Sequence, residues 1–148
     1  MFHYPHDHEE IRVAVTKLCG DFDSKYWQAC DADRAYPTDF VQALTDAGYL
    51  SALIPEEYGG LGMSQTNYMR ILSLISRYCG SVAATLSAHQ SIGVPQPIKL
   101  AGTQAQKDKW LPKFSEGWIS AFALTEPNVG SDPANMATEA HLDGDEWV

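Results

Sequence analysis

Basic residues are scarce in this chain, apolar runs are short, and its few cysteines lack partners at ligand spacing. Ten Lys and Arg face nineteen Asp and Glu, a formal net charge of -9. Nucleic acids and anionic membrane surfaces select basic faces, so neither is expected as a partner. No apolar run approaches the ~20 residues of a membrane-spanning helix, and the amino terminus, MFHYPHDHEE, lacks the basic-then-apolar order of a secretory signal. Cys19, Cys30 and Cys79 are odd in number and form no CxxC pair, which argues against a disulfide framework and against a zinc site. These absences predict a soluble chain in a reducing compartment, either the cytoplasm or an organelle. With 148 residues the chain fits one ordinary domain and can bury roughly two-thirds of its unfolded surface.

Helical periodicity dominates what is present. Asp7 followed by Glu10 resembles a cap, and Ile11, Val15, Leu18 and Phe22 recur at helical spacing, predicting a helix from near His8. His3, His6 and His8 sit on a terminus too loose to preorganise them, so they read as solvated side chains rather than metal ligands. Asp23 to Tyr36 shows no clean period and is expected to form a helix end and a loop. Pro37 leads into Phe40, Val41, Leu44 and Ala47 on one face, with Gly48 as a left-handed terminator. Leu50 to Ile54 is a short apolar segment stopped by Pro55. The EEYGGLG that follows contains neither GKS/T nor GxGxxG, so it reads as a structural connection rather than a phosphate cradle.

Ser64 caps a third helix bearing Tyr68, Ile71, Leu72 and Ile75, expected to end near Gly80. VAATLSAHQSI forms a fourth, of small residues, broken by Gly93, Pro95 and Pro97. Its face of Val82, Ala83, Leu86 and His89 lets another helix or a ligand tail come close, and His89 reads as a satisfied core residue rather than a base. Thr103 and Gln106 make a capping box for a helix through Trp110 and Leu111, which Pro112 is expected to end soon after.

After Gly117 the period changes. Ile119 to Leu124 predicts an apolar strand, and Thr138 to Leu142, Asp143-Gly144 and Glu146 to Val148 predict a strand, a hairpin turn and a second strand. Two or three strands with open edges are not stable alone, so the sheet is expected to continue beyond Val148. The expected fold is mainly α: a helical domain over residues 1–117, followed by the first strands of an incomplete β domain over 118–148.

Between these parts lies FALTEPNVGSD, Phe122 to Asp132. Pro127 fixes its own φ and pushes Glu126 toward an extended backbone, while Gly130 is expected to permit a turn that a Cβ resists. The loop brings backbone N–H groups and the Thr125 and Ser131 hydroxyls to a rim where they can bond a polar ligand edge or a phosphate. On pattern alone such a loop is more often an ordinary connection.

Four stretches in order alter that balance: IPEEYGGLG, AHQSIG, GTQAQKDKWLP and FALTEPNVGSD. The combination resembles the acyl-CoA dehydrogenase family, with TEPxxGSD as its most specific part, and covers the chain from about Ile11 onward. The resemblance implies an FAD-dependent oxidoreductase of fatty acid metabolism that catalyses α,β-dehydrogenation of an acyl-CoA thioester. It places Phe122, Ala123, Leu124 and Thr125 along the isoalloxazine of FAD, with Thr125 on the pyrimidine edge. Gly130 and Ser131 would face the pyrophosphate or ribityl region, and Ser131 would also reach the acyl-CoA substrate. Glu126 is read as structural, because in the family the α-proton goes to a glutamate far downstream; no catalytic residue is assigned here. Electron-transferring flavoprotein as acceptor, homo-oligomerisation, and a cytoplasmic or mitochondrial-matrix location are implied likewise. AHQSIG is similar to long- and very-long-chain members. A flavin-dependent monooxygenase of the same fold and a non-catalytic remnant module are the alternatives.

Overall fold

The computed structural model describes residues 9–148, apart from the side chains of residues 91 and 92. The expected cap at Asp7 and the histidines at 3, 6 and 8 lie outside the described residues. Seven helices carry the described fold: α1 Glu9–Gly20, α2 Ser24–Ala32, α3 Thr38–Asp46, α4 Gln65–Ile75, α5 Gly80–Ser87, α6 Pro95–Ala101 and α7 Gln104–Ser115. Helix α1 packs on α4, α4 on α5, and α6 on α7. One core gathers Val15, Phe40, Leu44, Tyr68, Ile71, Ile75 and Leu86, and a smaller one joins Ile54 to Leu111 and Phe114. Val82, Ala83, Leu86 and His89 are all buried, so the expected small-residue face is real and other helices cover it.

Local chemistry sets several helix ends. The Ser64 hydroxyl accepts from the Asn67 N–H, and Thr103 and Gln106 form both halves of the expected capping box. Gly48 takes φ 76, the left-handed conformation expected of a terminator. In the glycine-rich connection, a Cβ on Gly60 would stand 2.2 Å from the Ile54 carbonyl oxygen. That close approach, with Gly59 and Gly62 left-handed, gives the glycines a structural purpose.

The structure departs from the expected elements at five places. Residues 23 to 36 contain a full helix, α2, capped by the Asp23 carboxylate accepting from Lys25 and Tyr26 N–H groups. Its apolar contribution is the adjacent pair Tyr26 and Trp27, which stack edge-on against Phe22 and Phe40, so no i, i+4 stripe betrays it. The fourth helix is broken at Gly93 as expected, but Pro95 and Pro97 then begin an unforeseen helix, α6, since first-turn N–H groups have no partner inside the helix anyway. Pro112 lies within α7, which runs on to Ser115 because Leu111 and Phe114 are buried beneath that last turn. Helix α4 stops at Ile75, where the Arg77 N–H turns back to Leu74.

The fifth departure concerns the β region. Ile119 to Leu124 is not in a ladder, because no neighbouring strand among the described residues pairs with it. The hairpin is limited to β1 Leu142–Asp143 and β2 Glu146–Trp147, flanked by paired His141 and Val148. Its two-residue loop is Gly144-Asp145, one residue later than expected, with Gly144 supplying the positive φ of 60. No helix among the described residues is long and apolar enough to cross a membrane.

Candidate functional site

The TEPNVGSD loop is a short, closed turn. The Glu126 and Val129 backbones exchange two hydrogen bonds, 3.0 and 3.1 Å, leaving Pro127 and Asn128 at the corners. Pro127 takes the first corner, where its fixed φ belongs. Val129 is buried and anchors the turn. Gly130 plays a different part from the one expected. Its φ is not positive and a Cβ would meet nothing within 4 Å, because the turn is completed before it.

The Glu126 carboxylate staples this turn to the next segment. It accepts from the N–H groups of Ala137 and Thr138, each at 2.9 Å, and from the Thr138 hydroxyl. The Thr138 hydroxyl foremost, then the two amides, holds the carboxyl below the usual carboxylate range. A carboxylate so occupied ties the turn to residues 137 and 138.

Upstream, the backbone from Ala121 to Thr125 makes no hydrogen bond to other described residues, and its side chains are exposed. Phe122 is 54% exposed and Leu124 37%. The segment therefore offers a row of unpaired N–H and C=O groups flanked by apolar surface, with the Thr125 hydroxyl at its end. A flat heteroaromatic ring with donors and acceptors along one edge needs just such a surface, so Phe122, Ala123, Leu124 and Thr125 fit the FAD isoalloxazine chemically. Ser131 and Gly130 are exposed on the far side of the turn, with space around Gly130.

Two buried residues behind the segment, His89 and Gln90, have partners that the sequence reading missed. His89 is 2% exposed and reaches the segment directly: the Ser120 N–H donates to its Nδ1 at 3.0 Å. Its Nε2 is 3.1 Å from the Leu50 carbonyl oxygen, and its ring meets Phe114 edge-on. Burial, first, pushes its pKa below the ordinary imidazole value. The satisfied core histidine expected from the sequence is present, but its partner Ser120 was not foreseen. The available signal was one small hydroxyl residue inside the apolar run WISAFALT. Beside it, Gln90 is fully buried and its side-chain carbonyl accepts from the Leu53 N–H at 3.2 Å.

A helical body with an exposed, polar-edged segment at its margin recurs in known proteins. The family described as "Acyl-CoA dehydrogenase, N-terminal domain" matches residues 5–118, so this chain belongs to the acyl-CoA dehydrogenase family. Over 141 residues it is 47% identical to the probable acyl-CoA dehydrogenase FadE10 of Mycobacterium tuberculosis, covering 94% of this chain and 22% of that protein. It is 44% identical over 103 residues to the very long-chain specific mitochondrial enzyme of Rattus norvegicus, covering 69% of this chain and 16% of the relative. Among solved structures, an acyl-CoA dehydrogenase complexed with FAD from Bacillus anthracis superposes with a TM-score of 0.83 at 30% identity, covering 95% of this chain and 24% of that one. The chain thus spans about a fifth of the length of these curated relatives.

Proposed function

We propose that this chain is the amino-terminal part of an FAD-dependent acyl-CoA dehydrogenase that introduces an α,β double bond into an acyl-CoA thioester. The observation that carries the reading is the unpaired Ala121 to Thr125 backbone beside exposed Phe122 and Leu124, standing directly before the clamped TEPNVGSD turn. Bound FAD would supply the acceptor for the electron pair leaving the β-carbon. The chain's own residues bind and orient. Phe122, Ala123 and Leu124 line one face of the ring, and the Thr125 hydroxyl bonds its pyrimidine edge. Gly130 and Ser131 face the pyrophosphate or ribityl region, and Ser131 also contacts the acyl-CoA.

In this reading residues 1–117 form the helical domain and 118–148 open the β domain. Glu126, already occupied by three donors, is not assigned the α-proton, and the base is proposed to lie outside this chain, as the resemblance to the family implies. Electron-transferring flavoprotein is the proposed acceptor and a homo-oligomer the proposed assembly. The substrate is proposed to be a long fatty acyl-CoA, supported by the likeness of AHQSIG to long-chain members. The proposed location is the cytoplasm, or the mitochondrial matrix in a eukaryote.

The test is expression of the complete reading frame that contains this chain. FAD at one per subunit, bleached anaerobically by long-chain acyl-CoA, is the expected result. Thr125→Val should then weaken or spectrally shift the flavin while leaving the helical circular dichroism unchanged. An apoprotein that takes up no FAD, or a flavin that no acyl-CoA bleaches, would overturn the assignment. The 148-residue chain alone should retain little flavin and show negligible dehydrogenation.

A further inference from the structure

Five residues proposed above to meet the flavin, or to lead to those that do, run from Ala121 to Thr125 without a hydrogen bond to other described residues. Something must nevertheless fix their height and register against the helical body, since an unanchored backbone does not hold a ring edge in place. The recorded hydrogen bonds joining residues 119–125 to that body all converge on one pair, Ser120 and His89.

The pair has a defined polarity. Ser120 N–H donates to Nδ1 at 3.0 Å, so Nδ1 must carry a lone pair. The proton then sits on Nε2, which donates to the Leu50 carbonyl at 3.1 Å. The Ser120 hydroxyl lies 2.9 Å from the same Nδ1 and 3.4 Å from the His89 carbonyl. Both ring nitrogens are thereby committed, in opposite senses, to segments 31 and 39 residues away.

Local backbone geometry serves the same contact. Residues Ala88–Ile92 form a π-helical turn, a widening that re-aims side chains relative to the α-helix before it. Gly93 closes that turn with its N–H on the Ala88 carbonyl, and a Cβ there would stand 2.5 Å from the Ser120 hydroxyl. Gly93 thus clears the space that Ser120 occupies.

We propose that His89 is a positioning residue for the cofactor-facing segment: through Nδ1 and the Ser120 N–H it sets the register of Phe122 to Thr125 from the helical core. The role needs the neutral ring with its proton on Nε2. A proton on Nδ1 would confront the Ser120 N–H with a second donor and release the segment. Among the described residues the ring meets Leu50, Phe114 and Ser120 and shares a cavity with Thr85, Ile119 and the titratable Tyr36; none of these is a carboxylate or a basic side chain that would offset that loss.

That these residues meet a flavin rests on the proposed function, whereas the latch can be tested without it. In nitrogen-15 spectra of the 148-residue chain, His89 should show an unprotonated Nδ1 and a protonated Nε2, and the Ser120 amide should exchange slowly. His89→Gln keeps a donor toward Leu50 and loses the acceptor for Ser120; His89→Asn keeps an acceptor near the Nδ1 position and loses the Leu50 bond. Ser120 exchange should accelerate roughly tenfold in the Gln variant and be largely rescued in the Asn variant, as the loss of one net hydrogen bond requires. Ser120→Ala, which retains the N–H, should change little. On acidification, ring protonation and loss of Ser120 protection should follow one titration curve. A proton on Nδ1 at neutral pH, equal acceleration in both variants, or separate titrations would overturn the proposal. In the complete FAD-loaded protein, His89→Gln should shift the flavin absorption bands. A latch confirmed by NMR, alongside a complete protein that takes up no FAD, would disprove the cofactor reading and leave the latch standing.

Discussion

Residues 9–115 and residues 118–148 treat their apolar side chains in opposite ways. In the helical body, Phe40, Leu44, Tyr68, Ile71 and Ile75 are sealed in the core, and the Tyr68 hydroxyl is spent on the Leu86 carbonyl at 2.7 Å. In the later stretch, Trp118, Ile119, Phe122, Leu142 and Trp147 all lie more than half exposed, while Val129 is buried. The body therefore stores the stability, through area removed from water. The arm stores surface, held in shape by polar devices: the His89 latch, the Glu126 clamp and a two-residue hairpin. That division suits a scaffold which presents one unpaired backbone edge to a ligand.

The contrast should break or sharpen under substitution. Phe40→Ala, which empties the aromatic cluster of Phe22, Tyr26 and Trp27, should cost about 3–5 kcal/mol in urea unfolding. Equal loss from Phe122→Ala would show that the arm is packed after all. Next, the His89 contribution to stability should be fully present above the ordinary imidazole pKa of about 6.5 and be lost as pH drops below it. The sign follows from burial: His89 is neutral in the folded chain at a lowered pKa, so the unfolded chain takes up the proton first. Urea midpoints between neutral and mildly acidic pH check this, and His89→Phe should flatten that part of the profile.

Thr103→Ala removes the capping box of α7 and should cost about 1 kcal/mol, a loss confined to the body. Smallest of all, Phe122→Ala should stay within about 0.5 kcal/mol, as expected where the side chain touches little. The Cys19 thiol gives a kinetic counterpart. It is fully buried and pushed up to about 11 by desolvation, so it should resist alkylation under native conditions and react readily in denaturant.

Much of the body could be read before folding. The Ser64 cap, the Thr103 and Gln106 box, the Gly48 terminator and the α4 stripe are each written within a few residues, and all appear as expected. Helix α2 stayed hidden because its two aromatic anchors are adjacent and serve a neighbour's cluster instead of a stripe of their own. Helix α6 stayed hidden behind its prolines, and α7 runs one turn past Pro112, because a proline's cost depends on whether its N–H was needed and on what is buried beneath it. At the candidate site, the Pro127 corner could be anticipated from the motif, whereas the Glu126 contacts with Ala137 and Thr138 and the backbone conformation of Gly130 could not.

By itself the sequence determined the caps at Ser64 and Thr103, the Gly48 terminator, the change of period after Gly117 and the family, because caps, stripes and short motifs are local. Only the tertiary structure decided how the TEPNVGSD edge is held. His89 and Ser120 lie 31 residues apart, and each alone looks like an ordinary polar residue in apolar surroundings. They acquire a shared purpose when burial of the His89 ring removes water from Nδ1 and leaves the Ser120 N–H as its partner.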